Sequence, residues 1–471
     1  LHHNLNQIHE ASMKILENTG IKLYHPEILK IVKEKGIKVW GDTVYFSRGQ
    51  IMEWVSKAPK NFKIYARNPQ YDMSIGGDNV EYCSGYGCTS IIEKDGNVRQ
   101  ASLNDYIKFL KIIHQSKYFN INGGIPIQPT DLKENESYLL MVYATILYSD
   151  KCIMGIPGKE KEIKDIMEIL SILFGGREKF IEKPRSITLI STTSPLQIDK
   201  VASDTMMTCI NYNQPIIVTP GPISGSTGPI TLAGNIALGN AETLVGIALS
   251  QMIKEGTPVV YGMLPTTTDM RTGYVSIGSP GFAIQSKYSS RLAKMYGLPN
   301  RSGGAVTDAK GLSVQSGYES MLSMFACHQE KSNLIIHSAG IMDGFGAMSY
   351  EQFMVDLEII SMLNYYFQDI EADDESLAVD IINEVGPGGQ FLSHEHTFSR
   401  CRTEPWVSTI GVRSILKGET ANERIFKNIT KNVKYMLDAY EKPFLDHKIK
   451  KELINYLESK GIEKEKIEKI G

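Results

Sequence analysis

From residue 119 to residue 338 the chain repeats one pattern: a short apolar run, a break rich in Gly, Ser and Thr, then an amphipathic stretch of helical period. The apolar runs are Phe119–Gly123, Cys152–Ile156, Ile187–Ser191, Ile216–Thr219, Val259–Met263, Asn300–Gly304 and Leu334–Ser338. Their starts lie 29 to 43 residues apart, near the roughly 30 residues of a βαβ unit. The intervening stretches predict helices over Glu134–Tyr148, Lys159–Phe174, Ala202–Asn211, Asn240–Lys254, Ala283–Tyr296, Val314–Glu330 and Tyr350–Phe367. Seven βα units are visible, and an eighth is expected at residues 370–395. Eight units closing on themselves predict an α/β fold of the (β/α)8 TIM-barrel type, with an open doubly wound sheet as the alternative. The polar breaks favour the barrel, because there they converge on the C-terminal face where sites are built.

The flanks differ in character. Residues 1–115 read as a helix, a turn and a second helix, followed by short alternating segments punctuated by Asn68-Pro69, Gly76-Gly77 and Asp95-Gly96. This predicts a helical and β-rich N-terminal subdomain, then a barrel over 116–410 and a helical segment over 411–471. A formal charge of −3 lacks the basic excess of a nucleic-acid binder. No run approaches the ~18–20 consecutive apolar residues of a membrane helix. Six scattered cysteines suit a reducing, cytoplasmic setting.

Chemistry-bearing motifs are sparse. The loop Gly221–Pro229 contains Ser224 and Gly225, but lacks the Gly-Lys-Ser/Thr of a P-loop and the G-x-G-x-x-G spacing. Close backbone approach to a large flat ligand is the functional reading, and an ordinary loop the other. His394-Glu395-His396 would set two imidazoles on one face of a strand, with Glu404 or Asp343 as partners. Nothing specifies a third ligand, so no metal site is expected. No Ser-His-Asp or Cys-His arrangement and no G-x-S-x-G elbow occurs. The most specific constellation is Asn300–Lys310, with Arg301, Gly303, Gly304 and Asp308, followed by Gln315 and Tyr318-Glu319, with His337 at the end of the next strand.

Three long motifs then stand in order: Thr219–Glu242; Gly303–Lys310 with Gln315 and Tyr318-Glu319; and His337–Gly340 with Ser349–Phe353 and Asp356. Gly386–Gly389, Phe391-Leu392, His394 and Lys442-Pro443 continue the series. Together they resemble the trimethylamine methyltransferase superfamily over nearly the whole chain. The resemblance implies a (β/α)8 barrel that docks a separate corrinoid protein over its mouth. It also implies methyl transfer from a methylated amine to Co(I), no tightly bound cofactor, and a homo-oligomer. The trimethylamine enzymes carry pyrrolysine in the segment resembling Met342–Gly346, whereas this chain has ordinary residues there. That departure resembles the non-pyrrolysine branch, whose members act on quaternary amines such as glycine betaine, proline betaine or carnitine. The alternatives are a tertiary-amine methyltransferase and a betaine-binding module without turnover.

The expected pocket follows. Tyr86, Phe345 and Tyr350 are candidate aromatic faces for a trimethylammonium head, and Arg301 is the candidate fork for a betaine carboxylate. Gln315 is a further substrate-binding candidate. Glu242, Asp308 and His337 are the candidate catalytic or orienting groups. Gly221, Ser224, Gly225, Gly303 and Gly304 are candidate contacts for the corrinoid.

Overall fold

The computed structural model describes residues 2–471. Every apolar run named above becomes a strand. In chain order the parallel strands are β1 (Glu81–Tyr82), β2 (Ile121–Gly123), β3 (Cys152–Met154), β4 (Ser186–Ile190), β5 (Ile216–Val218), β6 (Val259–Tyr261), β7 (Arg301–Gly303) and β8 (Leu334–Ile336). Each is followed by a helix: α1 (Leu103–Gln115), α2 (Glu134–Tyr148), α3 (Glu160–Leu173), α4 (Lys200–Asn211), α5 (Leu232–Ile253), α6 (Pro280–Met295), α7 (Val314–Gln329) and α8 (Tyr350–Tyr366). The molecule is a mixed α/β fold.

Strands β2 to β6 pair in sequence order, all parallel. A parallel bridge Tyr261↔Asn300 leads from β6 to the residue before β7. Strand β7 pairs with β8, and β8 with β1. A bridge Tyr82↔Phe119 then leads from β1 towards β2. The eighth strand is therefore Glu81–Tyr82, inside the expected N-terminal subdomain. Residues 370–395 instead carry the short helices Asp374–Leu377 and Val379–Val385. The periodicity misled because two residues, Glu-Tyr, make no apolar run, whereas residues 379–385 carry Val379, Ile381, Ile382 and Val385.

One helix, α5, is long and apolar enough to cross a membrane, and 94% of its apolar window is buried inside the fold. A helix that is apolar on all sides belongs in an interior. The N-terminal helix His2–Asn18 and the helix Arg48–Val55 pack over its outer face, and Asn240 Nδ2 on α5 donates to Ser12 Oγ at 2.9 Å. The C-terminal helix Ala421–Asp438 lies against α1 and α8, and His447–Ser459 against α3. His394 caps the helix Glu395–Arg400, its Nδ1 accepting from the His396 amide at 3.1 Å. The two imidazoles thus leave the strand geometry assumed for them. Among the described residues no group of three His, Cys, Asp or Glu side chains is placed to hold a metal ion.

Phe353 on α8 packs with Phe109 of α1 and with Phe119, at ring separations of 6.1 and 5.8 Å. Replacing this fully buried ring removes transfer energy and leaves a cavity. Phe353→Ala is expected to cost about 3–5 kcal/mol, read as a lowered urea midpoint at unchanged slope.

Candidate active site

Alternate residues of the parallel strands point to one shared interior. Ile121, Cys152, Met154, Ile187, Leu189, Ile217, Val260, Leu334 and Ile336 form a single apolar cluster with Cys83. The hairpin Asn61–Ile64/Met73–Gly76 adds Ile64, Met73 and Ile75 to it. Arg301 stands in register with Leu334, so the pleat sends its side chain to the same face. It is only 1% exposed. Its Nη1 donates to the Gly262 carbonyl at 3.3 Å, and its Nε has no partner. Among the described residues Arg301 forms no ion pair. Burial lowers its pKa to about 10, so it stays protonated at neutral pH. A buried cation with an unfilled fork is costly unless an anion meets it.

His337 follows β8. Its backbone takes φ +63°, a left-handed conformation that costs a non-glycine residue about 1–3 kcal/mol. Its amide donates to the Ser84 carbonyl at 3.1 Å. The ring is buried with Nδ1 unpartnered. Burial first, and then the Arg301 charge, hold its pKa well below the ordinary histidine value. The imidazole is therefore neutral and can donate one hydrogen bond. Gly304 lets the two strand ends meet: a Cβ there would sit 2.7 Å from the His337 carbonyl oxygen.

The His337 ring lies 4.8 Å from Phe345, tilted by 52°. Phe345 ends the turn Asp343-Gly344-Phe345, with φ values of +53°, +58° and +74°. Backbone donors fix that turn: the Asp343 and Gly344 amides bond the carbonyls of Ala309 and Thr307, and Lys310 pairs with Asp343. Tyr86 packs against the interior cluster and donates to the Gly155 carbonyl at 3.2 Å. Cys83 lies between Tyr86 and Arg301 electrostatically: burial pushes its thiol up to about 12, and the guanidinium opposes that rise. Tyr86 and Arg301 thus face the interior cluster, and His337, within reach of the Arg301 charge, holds Phe345 against its ring.

The other candidates are engaged elsewhere. Glu242 accepts from Thr192 Oγ1 and, at 2.8 Å each, from Ser194 Oγ and the Leu196 amide. It anchors the loop after β4. Asp308 accepts from Ser276 Oγ and the Ile277 and Gly278 amides at 2.9–3.0 Å, anchoring the loop before α6. Gln315, exposed on the first turn of α7, donates to Glu319 at 2.9 Å. Tyr350 stacks on Phe109 at 4.5 Å and donates to Asp105, so its ring belongs to the helical layer. Gly303 is dictated by packing, since a Cβ would strike the Phe282 ring. Gly221, Ser224 and Gly225 belong to a ribbon after β5, in which Ile223–Ser224 pairs with Thr266–Asp269 and that strand with Tyr274–Ser276. Gly225 turns there with φ +84°.

Two interior residues escape sequence reasoning. Cys83 reads as one more scattered thiol. Thr219 reads only as the last residue of the strand Ile216–Thr219, yet its hydroxyl is buried without a partner, and a Cβ on Gly262, whose carbonyl receives Arg301, would lie 2.7 Å from it. The available signal was strand alternation, which sets Thr219 on the face of Ile217.

The family model for trimethylamine methyltransferase matches residues 2–464. The chain belongs to that family. It is 38% identical to the glycine betaine methyltransferase of Desulfitobacterium hafniense strain Y51, over 98% of this chain and 96% of that protein. It is 29% identical to the trimethylamine methyltransferase of D. hafniense DCB-2, covering 85% of this chain and 81% of the other. It is also 29% identical to the proline betaine:corrinoid methyltransferase of Eubacterium limosum, covering 86% and 84%.

In this family member the depressed His337 pKa carries a pH signature. Between the folded pKa and the ordinary value near 6.5, the unfolded chain binds a proton that the folded chain refuses. Stability therefore rises with pH in that window and falls as pH drops below about 6.5. Urea midpoints from pH 7 to pH 5 should fall less steeply in His337→Gln than in the parent.

Proposed function

We propose that this chain is a (β/α)8-barrel methyltransferase that moves a methyl group from a betaine-like quaternary amine to the Co(I) of a corrinoid carried by a separate protein. The barrel reading is supported by eight strand–helix units whose parallel pairs and bridges return to their start. In this reading residues 1–115 and 411–471 flank a barrel over 116–410, with β1 lent by the N-terminal part. The six free thiols support a reducing, cytoplasmic setting.

The donor assignment is carried by one observation: a buried Arg301 with no carboxylate partner, next to a neutral histidine and aromatic rings. A betaine is complementary at both ends. Its carboxylate accepts hydrogen bonds from the guanidinium fork and one from the His337 imidazole, and its quaternary ammonium meets the rings of Phe345 and Tyr86. Trimethylamine has no anion to offer, and once protonated it would be repelled by Arg301. The 38% identity to a glycine betaine methyltransferase supports the same donor.

The chemistry fits these groups. In-line displacement breaks the methyl C–N bond, and its electron pair stays on nitrogen as a neutral tertiary amine departs. The Co(I) electron pair forms the new Co–C bond. No proton is needed by the leaving group, so a site without an acid–base dyad suffices. The chain's task is to hold one N-methyl in line and to keep water out.

The first test follows the Co(I) absorbance of a reduced corrinoid protein with a panel of methylated amines. Rapid loss with glycine betaine and none with trimethylamine is expected; no loss with any quaternary amine would overturn the proposal. In Arg301→Ala, kcat/KM for glycine betaine should fall by about 30- to 3,000-fold, the cost of truncating one partner of a buried charge pair. Turnover of tetramethylammonium, which has no carboxylate, should change far less. Equal losses on both donors would rule out the carboxylate role.

A further inference from the structure

Past the ends of β5 and β6 the parallel ladder continues. The Gly262, Leu264 and Thr266 amides donate to the carbonyls of Val218, Pro220 and Pro222 at 2.9, 2.8 and 3.0 Å, and the ladder runs on into the pair Ile223↔Thr266. Strand alternation therefore persists beyond Val218. Thr219 and Gly262 take the face of Ile217 and Val260, both members of the interior cluster. Gly262 is not held at positive φ, so space rather than backbone conformation requires it. A Cβ there would stand 2.5 Å from Ile217 Cγ2 and 2.7 Å from Thr219 Oγ1. The missing side chain lets the Thr219 hydroxyl close on the residue whose carbonyl receives Arg301 Nη1.

Nothing in the fold explains that hydroxyl. Thr219 is 7% exposed, and its Oγ1 has no hydrogen-bond partner. Valine has the same shape and would bury no unmet polar group. Other unpartnered hydroxyls on these strands stand elsewhere. Thr188 alternates with the interior residues Ile187 and Leu189, and Ser224 and Thr266 belong to the ribbon past β5 and β6.

The anion expected at Arg301 has a place for it. A carboxylate offers about four lone-pair positions. Arg301 Nη1 is tied to Gly262, which leaves Nε, without a partner, and Nη2, without a hydrogen bond among the described residues, as a parallel pair for two of them. The His337 imidazole, with Nδ1 unpartnered, fills a third. One position remains for a neutral donor at the edge of this group.

We propose that Thr219 is that donor: its hydroxyl binds the carboxylate of the methyl donor beside Arg301 and His337, and so helps to select carboxylate-bearing donors over plain tetraalkylammonium ions. The identity of the anion rests on the methyl-transfer reading above; the orphaned hydroxyl beside the guanidinium does not.

Calorimetric titration of the purified chain with glycine betaine, without corrinoid protein, tests the assignment. Thr219→Val should weaken binding about 10- to 100-fold, the loss of one hydrogen bond to a charged group, and Thr219→Ser should restore it. Tetramethylammonium should bind the valine variant and the parent alike. In turnover, Thr219→Val should raise KM for glycine betaine and leave kcat nearly unchanged, because the carboxylate keeps its charge throughout the reaction. Without ligand, the valine variant should unfold no earlier than the parent, whereas a hydroxyl that holds the fold together would make it unfold earlier. Unchanged affinity for glycine betaine in Thr219→Val, an equal loss with tetramethylammonium, or a lowered unfolding temperature of the ligand-free variant each overturns the assignment and leaves the donor reading intact. A parent that binds glycine betaine no better than tetramethylammonium overturns the donor reading itself, and the role of Thr219 with it.

Discussion

A guanidinium placed against an apolar cluster is the constraint on which the rest of the site depends. Arg301 sits among Leu334, Ile336, Val260 and Cys83, where a charge without a counter-ion is expensive. Burial lowers its pKa only to about 10, so it answers the apolar surroundings by staying charged and unpaired. Its presence then sets the state of its neighbours. Burial, with the Arg301 charge second to it, keeps His337 neutral, and the same charge opposes the rise of the Cys83 thiol. A neutral imidazole beside a fixed cation is a donor pair for an anion, prepared before any ligand arrives.

The loops at the strand ends near that cation are held by buried and half-buried carboxylates acting as clamps on backbone. Glu242 gathers the loop after β4, Asp308 the loop before α6, and Glu319 the Thr307 hydroxyl and the Asp308 amide. Asp356 takes the Gly340 amide at 2.7 Å, just past His337. Each sits on or against a helix and reaches a loop at a strand's C-terminal end. Removing one would leave two or three donors unsatisfied in a low-dielectric region. These acids resemble catalytic residues in sequence because both roles require a conspicuous carboxylate near a strand end.

Most of the architecture was legible because seven strands announce themselves as apolar runs followed by helical periods. The eighth strand, Glu81–Tyr82, was not legible, since two residues with no apolar run carry no period. That Arg301 and His337 stand near one another was readable from their positions at consecutive strand ends. Tyr350 was misread because an aromatic after a Ser N-cap looks the same whether it faces a pocket or stacks on Phe109. Gly303 and Gly304 read as ligand-approach glycines, but their missing Cβ atoms make room for Phe282 and for the His337 backbone. Tertiary neighbours decide such cases, and local sequence does not contain them.

The arrangement also fits the proposed donor in what would not lie beside its ammonium. During methyl transfer the positive charge leaves nitrogen, so a carboxylate held against it would stabilise the bound donor more than the transition state. Aromatic faces grip a cation more weakly and lose less as its charge drains. Here Glu242 and Asp308 are both saturated by local donors, and Phe345 presents its ring from a strained turn. Strain at His337 and Phe345, both at positive φ, is tolerated because backbone bonds to Ser84, Ala309 and Thr307 fix the chain around them. On the proposed reading, affinity is concentrated at the donor's carboxylate end, which does not change charge during the reaction. The reacting end is left loosely held in energy but tightly fixed in position, which is what rapid displacement at a methyl carbon requires.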